Sequence, residues 1–525
     1  MAPLLGNIAR ATIVLFTFNF ISKALGLVRE MVIANEFGTS YAVDAYLVAY
    51  SLPSVLFALF AGALTTVVIP VYSEYAAKDG EAEAWRLFAT VFNVLLLCLL
   101  ILSAAGVILA PWIIKILAPG FSGDISQLAG ELTRIMFPVL VFTGISALFN
   151  GLLNARNIFG VTALNAPFSN LGIILGVLVL GKIWGVHGMA WGLLVGGFCG
   201  AAVQIPALVK SGFRLRWEFN LKHPGLKSIL RLVLPMAGGI SISQTYIVID
   251  RILASGLAEG SISALNYANR LIQMPLGLFV TAVGTAFFPA FTRRAAEGNL
   301  LGLQDGIRRA LRVVILVCLP AAVGLMVLRE PLITLFFQRG AFDLRATSMT
   351  SIALLFYSLG LVGQAAEFIL VRGFFSLHDT RTPVKIGAVV VTLNLILSLL
   401  LRGPLQHGGV ALANSLAALT SMTLLVIILG RRLSGLWSSE MWRFMGQIGL
   451  AAGLMGLAVQ AISQTTEHYL SLTGLLTGTL AVAANVGLAI SAGLVIYVII
   501  LTIFRLDEAQ LFWAAASRAL AWRKQ

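Results

Sequence analysis

Two stretches decide the fold: Asp44–Pro53, DAYLVAYSLP, and Asn266–Pro275, NYANRLIQMP. They lie 222 residues apart, and each closes on a proline. The same offset sets Arg29 on Arg251 and Gly38 on Gly260. Further along, PWIIKILAPGF from Pro111 answers PLITLFFQRGAF from Pro331 at an offset of 220. HGMA at His187 answers GGVA at Gly408 at an offset of 221. Apolar helices resemble one another by composition alone, but composition does not align Pro, Gly and Arg at a nearly constant spacing. The chain is therefore read as an internal repeat.

The surrounding sequence says what is repeated. Of the 525 residues, 59% are hydrophobic and 11% charged, with a mean hydropathy of +0.94. A soluble domain carries about 25% charged residues, so soluble folding is excluded. Apolar runs of about 20 residues recur, each long enough to cross ~30 Å of hydrocarbon as a helix. No ~10-residue alternating segments of barrel type appear. Fourteen spans are predicted, from 8–34 to 475–503. The N-terminus lacks a small-residue cleavage pattern and reads as a retained first helix.

Six spans fall in each repeat. The predicted organisation is an N-lobe over 1–210 (helices 1–6), a C-lobe over 211–432 (helices 7–12) and two further helices in 433–525. An even number per repeat keeps both halves in the same orientation, related by an axis along the membrane normal. Transporters built this way hold substrate between the halves and rock one against the other.

Basic residues exceed acidic ones, 36 to 22. Between alternate loops and tails they divide 25 to 7, which places both termini in the cytoplasm. The high pI is thus topological, and no nucleic-acid partner is expected. Cys98, Cys199 and Cys318 sit singly in apolar runs and read as core residues. No HExxH, P-loop or GxSxG occurs, so no catalytic residue is assigned and no covalent reaction is expected.

Four basic residues, Lys23, Arg29, Arg251 and Arg270, fall inside predicted spans. Lys23, Arg29 and Glu30 share one helix. Each would cost roughly 2.5–3.5 kcal/mol facing lipid, so they must face protein or water. Arg29 and Glu30 are adjacent and are expected to point apart. Lys23 and Glu30 lie two turns apart, and neither basic residue has the favoured i,i+4 acid. Asp44 is available to take part of the charge. One reading is a set of buried ion pairs using Asp44, Glu30 and Asp250. The favoured one is a water-filled cationic cavity for an anion of more than one charge, such as a diphosphate. Glu367, near Arg372, reads as a paired structural acid rather than a proton carrier. The aromatics show no stacking pattern and read as lipid-facing or interfacial.

The stretches ISKALGLVREMVIANEFGTSYAVDAYLVAYSLP, NYANRLIQMPLGLFVTAVGTAFFP and GFFSLHDTRTPVKI resemble the MurJ (MviN) lipid II flippase family of peptidoglycan synthesis. That family belongs to the multidrug/oligosaccharidyl-lipid/polysaccharide flippase superfamily. The resemblance covers nearly the whole chain. It implies an all-α polytopic protein of the bacterial cytoplasmic membrane, working as a monomer by alternating access through a cationic cavity. It implies lipid II as substrate, an undecaprenyl diphosphate carrying a disaccharide-pentapeptide, with the last two helices forming a groove for its tail. Matched by motif, Arg29, Asp44 and Arg270 fall on cavity positions, with Glu30, Arg251 and Asn269 beside them. Lys23 stands where many members have Arg, and Asn269 where Asp is frequent. Phe57 and Ala58 stand where well-known members carry arginines.

The resemblance also implies a sodium site on Asp250, Asn394, Ser398, Val410 and Asn414, with Ser398 in place of a carboxylate. Membrane-potential coupling is the other driving force in view. Competing readings are an exporter of another polyprenyl-diphosphate oligosaccharide, a cation-coupled drug antiporter, which would want an anionic cavity, and a non-transporting scaffold.

Overall fold

The computed structural model describes residues 2–504 except 157, 159, 215, 216, 434, 435, 437, 474, 475 and 477. Arg216, Arg505, Arg518, Arg523 and Lys524, counted in the cytoplasmic basic set, lie outside the described residues, as does the side chain of Arg10. Among the described residues all regular structure is helical, joined by short turns and coil. The elements are α1 Ala2–Phe37, α2 Tyr41–Lys78, α3 Glu81–Ile108, α4 Ala110–Leu117, α5 Gly123–Met136, α6 Val139–Ala155, α7 Asn165–Leu175, α8 Gly181–Trp184, α9 Val186–Ala202 and α10 Ile205–Lys210. They continue as α11 Pro224–Ala254, α12 Ser261–Pro275, α13 Thr281–Ala296, α14 Leu300–Val327, α15 Arg329–Phe336, α16 Leu344–Leu359, α17 Leu361–Ser376, α18 Arg381–Arg432, α19 Ser439–Thr473 and α20 Gly478–Ile503.

Among the described residues, ten stretches are long and apolar enough to cross a membrane, or eleven with the α16–α17 pair, which bends by 43°. Helices α1 and α11 cover predicted spans but include positions whose side chains lie outside those described. Helix α18 covers two predicted spans and breaks at Gln406, where φ is +52°. The short helices α4 and α15 carry the repeated PWIIKIL and PLITLF segments. Neither was expected as a separate element.

Proline explains one of the two π-helical segments. Pro275 closes α12 and Leu276–Val280 follows as π-helix. A residue without an N–H breaks the regular ladder there. The other segment, Gly176–Leu180, lies beside the close approach of α7 to α9. A side chain on Gly172 would meet the backbone of Gly192 and Gly196, and one on Gly176 the backbone of Gly188 and Gly192. Small residues every fourth position let two membrane helices touch backbone to backbone.

Two compact units emerge. One comprises the described residues up to Ser263 together with Gly340–Phe342; the other runs from Ala264 to Arg339 and from Asp343 onward. In the first, α2 packs on α5, α6 and α11. In the second, α17 packs on α18, α14 on α17 and α19, and α19 on α20. By contact, then, α11 belongs with the elements before it, although the repeat counts it as the first helix of the second half.

Two sequence expectations are corrected. Aromatics do pack in the core: Phe92 stacks on Phe149 at 5.9 Å between ring centres, and Phe213 lies edge-on to Phe88 at 5.5 Å and to Phe92 at 6.0 Å, inside a buried cluster with Leu87, Leu152 and Leu153. Arg156 caps that cluster. It sits 4.9 Å above the Trp85 ring, pairs with Glu81 and donates to the Ser211 carbonyl at 2.6 Å. Residues distant in sequence supply these rings, so no local pattern announces them. Of the cysteines, only Cys318 is buried; Cys199 is half-buried and Cys98 is exposed on α3. A helix in lipid has an apolar outer face as well as an apolar inner one, so an apolar run does not place a cysteine in the core.

Candidate functional site

The charged turn of α1 is built around Arg29. Its side chain is 15% exposed and that of Glu30 only 3%. Contrary to expectation the two are paired, Arg29 Nη2 to Glu30 Oε1. Neighbouring Cα–Cβ vectors diverge on a helix, but the long guanidinium side chain folds back around the turn. Arg29 Nη1 donates to Asn170 Oδ1 at 3.1 Å, and Asn170 Nδ2 donates to the Ser22 carbonyl at 3.2 Å. Asn170 on α7 thereby ties the charge to the backbone of its own helix. The sequence reading missed Asn170, whose only signal was an amide in the apolar run NAPFSNLGIIL. Arg29 Nε remains buried with no hydrogen-bond partner among the described residues. Lys23, two turns earlier, is exposed.

Asp44 has a different role from its neighbours in the motif. It is 3% exposed and accepts from two backbone N–H groups, Gly260 to Oδ2 and Ser263 to Oδ1, both at 2.8 Å. It thus caps the N-terminus of α12 from a distance of 216 residues in sequence. The service is returned: Glu259 Oε1 accepts from the Tyr41 N–H at the start of α2, at 2.8 Å. Ser40, the residue before α2, makes no side-chain cap of its own. Arg251 Nη1 donates to the Ile262 carbonyl at 3.3 Å, in the same turn.

The repeated loops join this end. Gly120 N–H donates to Ser255 Oγ at 3.2 Å, and the Ala341 N–H donates to the Asn35 carbonyl at 2.8 Å. Gly38 and Gly260 both hold positive φ, +58° and +85°, and a side chain on either would meet the backbone of Ala341 or Thr39. Arg270 is exposed and Asn269 half-buried on α12, in the second unit.

Four of the five positions implied for a cation lie on α18. Asn394, Ser398 and Val410 are fully buried. Asn394 Nδ2 donates to Asn414 Oδ1 and Asn414 Nδ2 to the Val410 carbonyl, both at 3.3 Å. Asn394 Oδ1 and Ser398 Oγ are buried oxygens without hydrogen-bond partners among the described residues. Such oxygens suit a hard monovalent cation. Asp250 is on α11, in the first unit. Glu367 hydrogen-bonds Ser421, not Arg372; the latter donates to the Phe368 carbonyl at 3.1 Å and lies 3.6 Å from that ring.

A cavity of about 160 Å³ opens beside the Arg29 turn. Tyr50, Pro53 and Phe57 of α2 line one side, and Asn165, Ser169 and Asn170 of α7 another. Phe57 is therefore part of a cavity wall.

Comparison with known proteins agrees with this architecture. The sequence model of the family described as "Lipid II flippase MurJ" matches residues 33–481. The chain is 32% identical over 464 residues to "Lipid II flippase MurJ" of Burkholderia cenocepacia, covering 86% of this chain and 89% of the relative. It is 31% identical over 509 residues to "Probable lipid II flippase MurJ" of Vibrio cholerae, covering 94% and 96%. A solved structure, "Lipid II flippase MurJ, inward closed conformation", superposes with a TM-score of 0.78 at 27% identity, over 94% of this chain and 98% of that one. A multidrug resistance MATE family transporter of the MOP superfamily superposes at 0.69 with 17% identity, over 81% and 98%, and shares the fold. With a family match over most of its length and relatives of about one-third identity along nearly all of it, this multi-pass membrane protein belongs to the lipid II flippase family MurJ.

Proposed function

We propose that the protein flips lipid II, the undecaprenyl-diphosphate disaccharide-pentapeptide, from the cytoplasmic to the outer leaflet of the bacterial cytoplasmic membrane. The observation that carries this reading is the match to lipid II flippases over residues 33–481. The transport is by alternating access and has no covalent step. The chain crosses the membrane fourteen times with both termini in the cytoplasm, and α19 and α20 hold the polyprenyl tail.

Lys23 and Arg29 bind the diphosphate, and Arg270 is a phosphate-binding cation of the second unit. Glu30 and Asn170 keep Arg29 in place. Asp44 and Arg251 hold the α12 turn, a role that their backbone partners support. Asn269 adjoins Arg270. Sodium, if it couples transport, sits on Asn394 and Ser398, whose buried oxygens lack other partners among the described residues. Val410 and Asn414 complete the set on α18. Ser398→Val should then abolish sodium dependence while transport at saturating sodium persists. Loss of transport at every sodium concentration would count against the cation role.

The test of function is rescue. Cells depleted of their resident lipid II flippase should grow when they express this chain and should carry lipid II to the outer leaflet. Expression at normal levels without rescue would favour the other reading, a flippase for a different polyprenyl-diphosphate oligosaccharide.

A further inference from the structure

The cavity beside Arg29 has a composition that the diphosphate does not explain. None of the residues lining it is charged. One wall is the aromatic and apolar face of α2: Tyr50, Pro53 and Phe57. Asn165, Ser169 and Asn170 of α7 and Thr143 of α6 supply its polar groups, and Val139, Ala166, Leu193 and Gly197 complete the lining. Asn170 is engaged on both sides, by Arg29 and by the Ser22 carbonyl. The Tyr50 hydroxyl, the Asn165 amide and the Ser169 hydroxyl are not: none makes a hydrogen bond among the described residues. Polar groups that line interior space in a membrane protein need a partner, because lipid supplies none.

The partner these groups fit is neutral, rich in hydroxyl and amide groups, and has an apolar face to lay against the rings of Tyr50 and Phe57. A sugar has this chemistry. A peptide bearing free carboxylates does not, since no cation lines the cavity. The position matters as much as the composition. Asn170 belongs to the cavity wall and also to the Arg29 hydrogen-bond set. A group bonded directly to a phosphate at Arg29 therefore has the cavity next to it. We propose that this cavity in the first unit receives the sugar attached to the substrate's diphosphate, with Tyr50, Asn165 and Ser169 as its hydrogen-bonding contacts and Phe57 as its apolar floor. The proposal rests on the reading of the protein as a flippase of a diphosphate-linked glycolipid.

The experiment compares two ligands on the full chain in lipid nanodiscs: lipid II and sugar-free undecaprenyl diphosphate. The wild type should bind lipid II more tightly. Each lost neutral hydrogen bond should weaken lipid II binding about three- to tenfold, with no matching loss for the sugar-free lipid. Tyr50→Phe and Ser169→Ala remove one hydroxyl each with little change of shape, and Asn165→Leu removes the amide. Melting temperatures identify any variant that fails to fold, and the two conservative variants keep the comparison available if Asn165→Leu does. Equal losses for both ligands, or no loss for either, would overturn the sugar site and leave a water-filled cavity. A wild type that binds both ligands equally overturns the sugar site but not the flippase reading. A wild type that binds neither overturns both.

Discussion

Arg29 and Asp44 sit 15 residues apart in one motif, yet their surroundings assign them opposite work. Arg29 keeps a donor nitrogen without a partner among the described residues and lies beside a cavity, whereas both carboxylate oxygens of Asp44 are taken by backbone N–H groups. Their variants should therefore fail differently. Arg29→Ala should leave the protein level near normal and weaken lipid II binding roughly tenfold to a hundredfold, the equivalent of about 1.5–3 kcal/mol for a charge-assisted contact. Lys23→Arg should be tolerated because it keeps the charge and adds a forked pair of donors; Lys23→Gln should not. Normal binding by Arg29→Ala would remove the residue from the diphosphate site. Asp44→Ala should instead lower the melting temperature, since it leaves two buried N–H groups at about 1–3 kcal/mol each. Lipid II affinity of the folded fraction should be unchanged. A loss of affinity at unchanged stability would put Asp44 back on the ligand.

At the scale of elements, helix ends are held by partners from elsewhere in the chain. Helices α2 and α12 cap each other through Glu259 and Asp44. The start of α18 is fixed by Asp379, which accepts from the Thr382 N–H at 2.9 Å and hydroxyl at 2.6 Å and pairs with Arg432 at 2.7 Å. Burial pushes the Asp379 carboxyl up, but the Thr382 and Arg432 bonds outweigh it and hold it below the ordinary carboxylate range. A depressed carboxyl contributes stability that is complete above the unfolded value, near pH 4, and is lost as pH falls through the folded value. The melting-temperature difference between wild type and Asp379→Ala should hence stay constant from about pH 5 to 8 and shrink below about pH 4. A difference that grows on acidification would show that the carboxylate is not the stabilising form.

At the scale of the molecule, the charge asymmetry of the loops predicts cytoplasmic termini. Single cysteines placed in 217–223 or at 297–299, in a background lacking Cys98, Cys199 and Cys318, should be shielded from an impermeant thiol reagent in intact cells. Both should react once the membrane is opened. Labelling of the first loop from outside would invert the topology. The two compact units cut across the repeat: α11 packs on α2, and Gly340–Phe342 group with the first unit. Two copies of a motif are thus equivalent in sequence but not in environment. Arg29 pairs with an acid and an amide, while its counterpart Arg251 holds a backbone carbonyl.

The sequence by itself determined the membrane class, the helical architecture, the repeat and the family. Each of these rests on signals that survive without coordinates: span length, hydropathy, loop charge and matched Pro, Gly and Arg. It also marked α1 as the helix whose charges need an explanation. Only the tertiary structure decided what those charges touch. Arg29 meets Asn170 across 141 residues and Asp44 meets Gly260 across 216, and hydropathy carries no information about such pairs. The same holds for the aromatic cluster around Phe213, and for the glycines of α7 and α9, whose meaning appears only when two backbones meet. Periodicity reports which face of a helix is apolar; which side chain waits on the other side is fixed by packing.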